Sequence, residues 1–308
     1  RVVGLPDLSQ VRTMMLGVMN PNNSTGQEKL CTEVWFNEMR VTGISNKGGW
    51  AATARMVTKL ADFARVNISG NYTTIGFGGI DKTLNERSLD QTFQYDISSN
   101  IELGKFFPQK SGISIPMFIG WNENFINPKY YPLNPDILYK QVLEAAKTTE
   151  EKTKVKETSQ DYTSRYSLNF TNVKKNRTSG GKVRLWDIEN FNTSYSYQRT
   201  YRRNQIVEEN FINTHRASLA YTYAKRPKPW EPFKKIIRAK KLRFVKDFNF
   251  TLMPSSLNFQ YDVDRRYGEL QNRSNDDFEA IVPRFYDKSF ALKRTYGGRW
   301  NFTRNLKF

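Results

Sequence analysis

Through nearly the whole chain, apolar and polar residues alternate with a period of two, the spacing that puts successive side chains on opposite faces of a β-strand. In Arg165 to Thr171, Tyr166, Leu168 and Phe170 occupy one face, and Arg165, Ser167, Asn169 and Thr171 the other. A helix would scatter those apolar groups. Tyr95, Ile97, Ile101 and Leu103 oppose Asp96, Ser98, Asn100 and Glu102, with Ser99 breaking the apolar face. The same rule sets Val66, Ile68 and Tyr72 against Asn67, Ser69 and Asn71, and Leu219, Tyr221 and Tyr223 against Ser218, Ala220 and Thr222. It also sets Leu257, Phe259, Tyr261 and Val263 against Asn258, Gln260, Asp262 and Asp264. Weaker runs lie near Arg12 to Val18, Thr32 to Val41, Trp50 to Leu60, Ile113 to Trp121, Thr193 to Tyr201, Lys246 to Leu252, Ser289 to Tyr296 and Arg299 to Phe308. Together they predict an all-β, antiparallel protein of about a dozen strands. Gly48-Gly49, Gly78-Gly79, Gly180-Gly181 and Gly297-Gly298 supply backbone freedom at turns or bulges between them.

Two stretches break the alternation. Asn134 suits a helix cap, Pro135 the first helical position, and Leu138, Val142 and Ala145 then share one helical face. The continuation, Lys147 to Glu157, is mixed in charge and reads as solvated. From 225 to 245, Pro227 and Pro229 discourage a central strand, and Lys234, Lys235, Arg238, Lys240, Lys241 and Arg243 crowd together. That basic stretch reads as a solvated loop or as a docking surface for lipid or a partner. The chain divides accordingly: strands with short turns over 1–132, a loop helix and charged connection over 133–160, strands over 161–224, the basic irregular region over 225–245, and strands over 246–308.

Composition narrows the classes. The 308 residues carry 48 Lys plus Arg against 30 Asp plus Glu, a net charge of +18, which attracts anionic partners without choosing among them. No module with aromatics stacked beside basic groups is apparent, so nucleic acid is not an expected partner. No apolar run approaches the roughly 20 residues of a membrane-crossing helix, but a barrel strand needs only about 9–11 residues with one apolar face. The single Cys31 and single His215 leave no internal disulfide and no histidine pair for a metal. A Ser-His-Asp or Cys-His arrangement would have to pass through His215, which lacks a nucleophile-elbow pattern. Gly76-Phe77-Gly78-Gly79 opens no helix with a phosphate-binding Lys-Ser/Thr pair and reads as a turn. No enzyme activity, catalytic residue, metal or cofactor is expected.

Longer strings carry a family resemblance. Glu33-Val34-Trp35-Phe36-Asn37-Glu38-Met39-Arg40, Gly48-Gly49-Trp50-Ala51-Ala52, Lys59-Leu60-Ala61-Asp62-Phe63, Leu103-Gly104-Lys105-Phe106-Phe107-Pro108 and Lys246-Asp247-Phe248-Asn249-Phe250 appear in order. The chain resembles the SprA family, also called Sov, the translocon of the type IX secretion system of Bacteroidota. The resemblance implies a segment of a single giant outer-membrane β-barrel that exports folded cargo, gliding adhesins included. It further implies a periplasmic plug protein and the shuttle protein PorV as partners, beside the rest of the barrel and membrane lipid. The chain is accordingly expected to be a piece of a longer protein. On this reading Tyr166, Leu168, Phe170, Leu219, Tyr221 and Tyr223 face lipid, and Asp96, Asn100, Glu102 and Asn169 face a water-filled lumen. Trp50, Trp121 and Trp300 suit interfacial girdles. A soluble β-rich binding module and a different outer-membrane transporter are the alternative readings.

Overall fold

The structure, a computed structural model, describes residues 15–18, 31, 33–37, 47–83, 86–178, 180–181, 183–225, 228–234, 245, 247–274 and 282–303. Where alternation is strongest the chain forms strands: β1 (Ala51–Leu60), β2 (Ala64–Thr73), β3 (Asp90–Glu102), β4 (Ile113–Ser114), β5 (Pro116–Pro128), β6 (Tyr130–Tyr131), β7 (Asn134–Leu138), β8 (Asp161–Lys175), β9 (Phe191–Arg203), β10 (Val207–Ala224), β11 (Ser256–Asn272) and β12 (Phe285–Arg299). Two helices, α1 (Tyr139–Ala145) and α2 (Thr149–Ser159), lie in the long connection between β5 and β8. The main sheet runs in the order β1-β2-β3-β5-β8-β9-β10-β11-β12, with β4 extending the pairing on β8. All these pairs are antiparallel, so the chain winds up and down and each strand meets its neighbour in sequence apart from the short insertions. The sheet is open: among the described residues β1 and β12 are its edges, and it does not close into a barrel. No helix among the described residues is long and apolar enough to cross a membrane.

The strands extend beyond the periodic patches. β10 has 18 residues and β11 has 17, although alternation is clear only over Ser218 to Tyr223 and Leu257 to Asp264. Their other ends, such as Glu208 to Asn210, carry polar groups in succession, so the ladder is held there by backbone bonds without an apolar face to announce it.

The predicted helix start is corrected. Asn134–Leu138 forms β7, which pairs with β6 through Tyr130 and Leu138. Asn134 Oδ1 accepts the Asp136 N–H at 3.3 Å, and the helix begins only at Tyr139. An asparagine acceptor followed by a proline suits a turn into an edge strand as well as a helix cap. Val142 and Ala145 stay in α1; Leu138 falls outside it. The mixed-charge continuation is the second helix, started by a capping box in which Thr148 Oγ1 accepts the Glu151 N–H at 3.1 Å and Glu151 accepts the Thr148 N–H at 3.3 Å.

Other expectations shift locally. Gly297-Gly298 lies inside β12 opposite Asn258 and Leu257, not in a turn. Residues 15–18, 33–37 and 300–303 are not in strands, and from the Lys246 to Leu252 run only Phe250 forms a bridge, with Trp230. The rest of those two N-terminal runs, and residues 304–308, lie outside the described residues. A bulge between Phe170 and Val173, with Asn172 at φ 55°, shifts the β8–β9 register and was not visible in the alternation. Gly76 has φ +86°, and a Cβ there would lie 2.7 Å from the Lys47 carbonyl oxygen, so this turn requires glycine.

Candidate functional site

Residues paired across an antiparallel ladder share a face, so the register traces each face strand by strand. One row, Leu60–Ala64–Ile101–Met117–Phe170–Tyr195–Ala217–Val263–Leu292, is apolar or aromatic across all nine strands of the main path. Tyr166, Leu168, Phe170, Leu219, Tyr221 and Tyr223 all lie on this same face, as their alternation predicted. The opposite face collects Asn67, Ser69 and Asn71, Asp96 and Asn100, Arg165 and Asn169, Ser196 and Gln198, Arg216 and Ser218, and Gln260, Asp262 and Asp264. Val57, Phe118, Ile126, Ile212, Leu270 and Phe285 are its apolar exceptions.

Short side-chain contacts link neighbouring strands across the polar face. Ser196 donates to Asn169 Oδ1 at 2.5 Å, Ser218 to Asp262 at 2.7 Å, and Arg216 pairs with Asp264 at 2.9 Å. Glu102 departs from the open lumen position predicted for it: at the end of β3 its carboxylate accepts the Ile115 N–H at 2.9 Å and so fastens the β3–β5 connection.

Among the described residues, nothing covers most of the area of the apolar face. Among the described residues only Ala64, Tyr139 and Tyr223 are buried apolar side chains, while Phe290 is 68% exposed, Met56 52% and Trp121 47%. Leaving a large apolar side chain in water forgoes about 1.5–3 kcal/mol each, so a face of this extent requires an apolar neighbour. Tyr223 is a correction to the prediction: it is 1% exposed and presents no free surface. It lies at the end of β10, just beyond the point where Tyr221 OH donates to the Leu185 carbonyl at 2.6 Å and the 176–190 connection meets the face.

Aromatic rings mark both limits of this face. Along one limit, ring contacts run from Trp50 to Tyr72, Phe93, Phe125, Tyr162 and Tyr201, centroids 4.9 to 6.3 Å apart. Tyr201 stands opposite Phe211, whose ring meets Tyr267 at 5.8 Å. Along the other limit Phe191, Tyr221, Phe259 and Tyr296 form a second ladder, with centroids 5.1 to 5.9 Å apart. Trp50 belongs to the first ladder. Trp121 sits mid-face beside Tyr95, and Trp300 packs on Phe302 with its indole N–H on the Thr251 carbonyl at 3.0 Å, so neither joins a ladder.

The apolar band crosses the strands obliquely. Along the row Ile97–Trp121–Tyr166–Arg199–Asn213–Tyr267–Lys288 the side chains change from apolar on β3, β5 and β8 to charged or amide on β9, β10 and β12. Three charged groups near this limit, Glu123 on β5, Arg199 on β9 and Arg265 on β11, climb by about one residue per strand relative to the register, while Lys288 on β12 returns to the Arg199 row. With a rise of about 3.4 Å per residue and a strand spacing of about 4.8 Å, that drift corresponds to a tilt of roughly 35°. Phe211 and Tyr221 stand ten residues apart on β10. Their separation is about 34 Å along the strand and about 28 Å normal to a plane cut at that tilt.

Polar groups within the band are held by its own rings. Glu123 accepts hydrogen bonds from Tyr95 OH, from Tyr162 OH at 2.7 Å and from the Trp121 indole N–H at 3.3 Å. His215 packs on the Tyr197 ring at 4.8 Å with Nδ1 3.0 Å from Tyr195 OH. Alternation alone could not pair Glu123 with its tyrosines, which lie 28 and 39 residues away. Of the basic docking residues, Lys234 pairs with Glu231; Lys235, Arg238, Lys240 and Lys241 lie outside the described residues. Cys31 is free and exposed. Among the described residues no three His, Cys, Asp or Glu side chains gather at metal-binding distance.

No curated protein matches the chain. Over residues 1–143, which include β1 to β7, the sequence matches the model of the SprA_N family, described as motility related/secretion protein, and it is to proteins of that kind that this part of the chain is similar.

Proposed function

We propose that this chain is part of the wall of an outer-membrane β-barrel that conducts folded proteins, the translocon of the type IX secretion system, with gliding adhesins among its cargo. The observation that carries the reading is the exposed apolar face bounded by two aromatic ladders, with charged groups at its margin that climb from β5 to β11. Membrane barrels tilt their strands by about 35–45° and expose an apolar band about 25 Å tall between aromatic girdles. A soluble two-layer protein needs neither the drift nor the girdles. The family match over residues 1–143 adds secretion as the process. Lipid would cover the face of Tyr166, Leu168, Phe170, Leu219 and Tyr221, and the Asp96, Asn100 and Asn169 face would line the water-filled channel. The edges of β1 and β12, open among the described residues, pair with further strands of the same wall, because an unpaired backbone group in hydrocarbon costs several kcal/mol. Conduction makes and breaks no bonds, so no catalytic residue is assigned. The periplasmic plug and PorV remain the partners suggested by resemblance.

Single cysteines at Leu168 and Asn169 in the full chain test this in cells that secrete cargo. A water-soluble maleimide is expected to label Asn169→Cys and slow secretion, while a lipid-soluble reagent labels Leu168→Cys. Equal water access at both positions would refute the membrane-wall reading and favour a soluble binding module.

A further inference from the structure

On the apolar face of β9 to β12, three cations sit at or just inside the first aromatic ladder. Arg199 faces Asn213 across the β9–β10 ladder, Arg265 faces both His215 and Phe290, and Lys288 faces Tyr267. All three side chains are exposed, and none has an ion-pair partner among the described residues. Two of them contact rings: Arg199 lies 5.8 Å from the Phe211 centroid, and Lys288 lies 5.5 Å and 5.4 Å from those of Tyr267 and Tyr286.

The other charges of that face are already engaged or set apart. Glu269 is held by Arg284 at 2.5 Å and by Tyr267 OH at 3.1 Å, and Arg203 pairs with Glu157 at 3.5 Å. Glu209 lies farther out, opposite Gln271, and Arg294 stands within the band opposite Tyr261. The strand spacing and rise place Arg265 about 8 Å from Lys288 and about 12 Å from Arg199 at the Cα atoms, within reach of long side chains that converge on one group. A shallow cleft of about 290 Å³ between β11 and β12 is lined by Arg265, Tyr267, Lys288 and Phe290 among others.

We propose that Arg199, Arg265 and Lys288 form a binding surface for the phosphate headgroup of an anionic lipid whose acyl chains lie on the apolar band beside them. This rests on the membrane-wall reading. Cations at the margin of an apolar face, with aromatic rings level with them, match a molecule that is anionic at one end and apolar at the other. A free phosphate would leave Phe290 and Leu292 uncovered.

The test uses the full chain in mild detergent with added phosphatidylglycerol or phosphatidylcholine, and native mass spectrometry of bound lipid. The wild type is expected to retain phosphatidylglycerol preferentially. The combined variant Arg199→Gln, Arg265→Gln, Lys288→Gln should lose that retention by roughly 100-fold, at about a fivefold loss per basic side chain. It should still insert into membranes and show the same heat-modifiable migration, and Lys147→Gln, Lys152→Gln, Lys154→Gln on and before α2 should retain lipid like the wild type. Membrane-inserted protein with no lipid preference, or retention unchanged in the triple variant, would overturn the proposal and leave the wall reading standing. Displacement of the lipid by millimolar inorganic phosphate would overturn it in favour of a free-anion site. Recovery of the chain as a soluble protein without detergent would overturn the wall reading itself.

Discussion

A single hydrogen-bonded row gives the most demanding prediction. Ile119, Leu168, Tyr197 and His215 stand side by side on β5, β8, β9 and β10, and the next residue of that row, Arg265, is already an arginine. In an untilted or water-exposed sheet these four positions are equivalent. With the strands tilted by roughly 35°, each step along the row moves the side chain about 2.8 Å along the membrane normal, so Ile119 and His215 differ in depth by about 8 Å. Arginine on the lipid face of a barrel costs about 2–4 kcal/mol at the midplane and about 0–1 kcal/mol near an interface. Ile119→Arg and Leu168→Arg are therefore expected to destabilise by about 2–4 kcal/mol, Tyr197→Arg by less, and His215→Arg by about 1 kcal/mol. Asn169→Arg, one residue from Leu168 but on the polar face, should cost less than about 1 kcal/mol, chiefly the Ser196 hydrogen bond. Denaturant unfolding of the full chain in lipid vesicles measures these differences. Equal costs along the row, or a cost that rises toward His215, would refute the tilt and with it the assignment of the band to the membrane.

Three further outcomes follow from local geometry. Gly76→Ala should strain the β2–β3 connection by about 1–3 kcal/mol, because φ +86° disfavours a side chain and the Cβ meets the Lys47 carbonyl, and protease cleavage within 74–89 should accelerate. Thr148→Ala removes half of the capping box and should weaken α2 by about 0.5–2 kcal/mol, read as faster amide exchange over Thr149 to Lys152 with the sheet unchanged. The Glu189 carboxyl is held below its ordinary value of 4.5 chiefly by the hydrogen bond from Lys175 at 2.9 Å, with its own backbone contributing. A depressed carboxylate stabilises fully above its unfolded value and loses that contribution as pH falls through the folded one. Protease sensitivity of the 176–190 connection should therefore rise below about pH 4.5 in the wild type and show no such step in Glu189→Gln.

The division of side chains between two faces was legible in the sequence because period-two alternation is a local property: Tyr166, Leu168 and Phe170 needed no partner strand to be grouped. The oblique band was not, since it exists only relative to the register, and one strand says nothing of which residue stands opposite it. Glu123 illustrates the gap: in sequence it is an acid that interrupts an apolar run, and only the pairing of β3, β5 and β8 surrounds it with Tyr95 and Tyr162. Tyr223 was misplaced for a related reason, because alternation assigns a face but not the connections that fold over its end. Asn134-Pro135 misled because cap and turn chemistry use the same residues, and the choice was made by pairing with Tyr130 and Tyr131.

The central claim, that one face of this sheet meets lipid and the other water, is tested most directly by spin labels placed singly at each residue from Arg165 to Phe170 in the membrane-reconstituted full chain. The account predicts strict alternation: high collision with oxygen at 166, 168 and 170, and high collision with a water-soluble nickel complex at 165, 167 and 169. Uniform nickel access along the strand, or protection of both parities from nickel and oxygen alike, would contradict it.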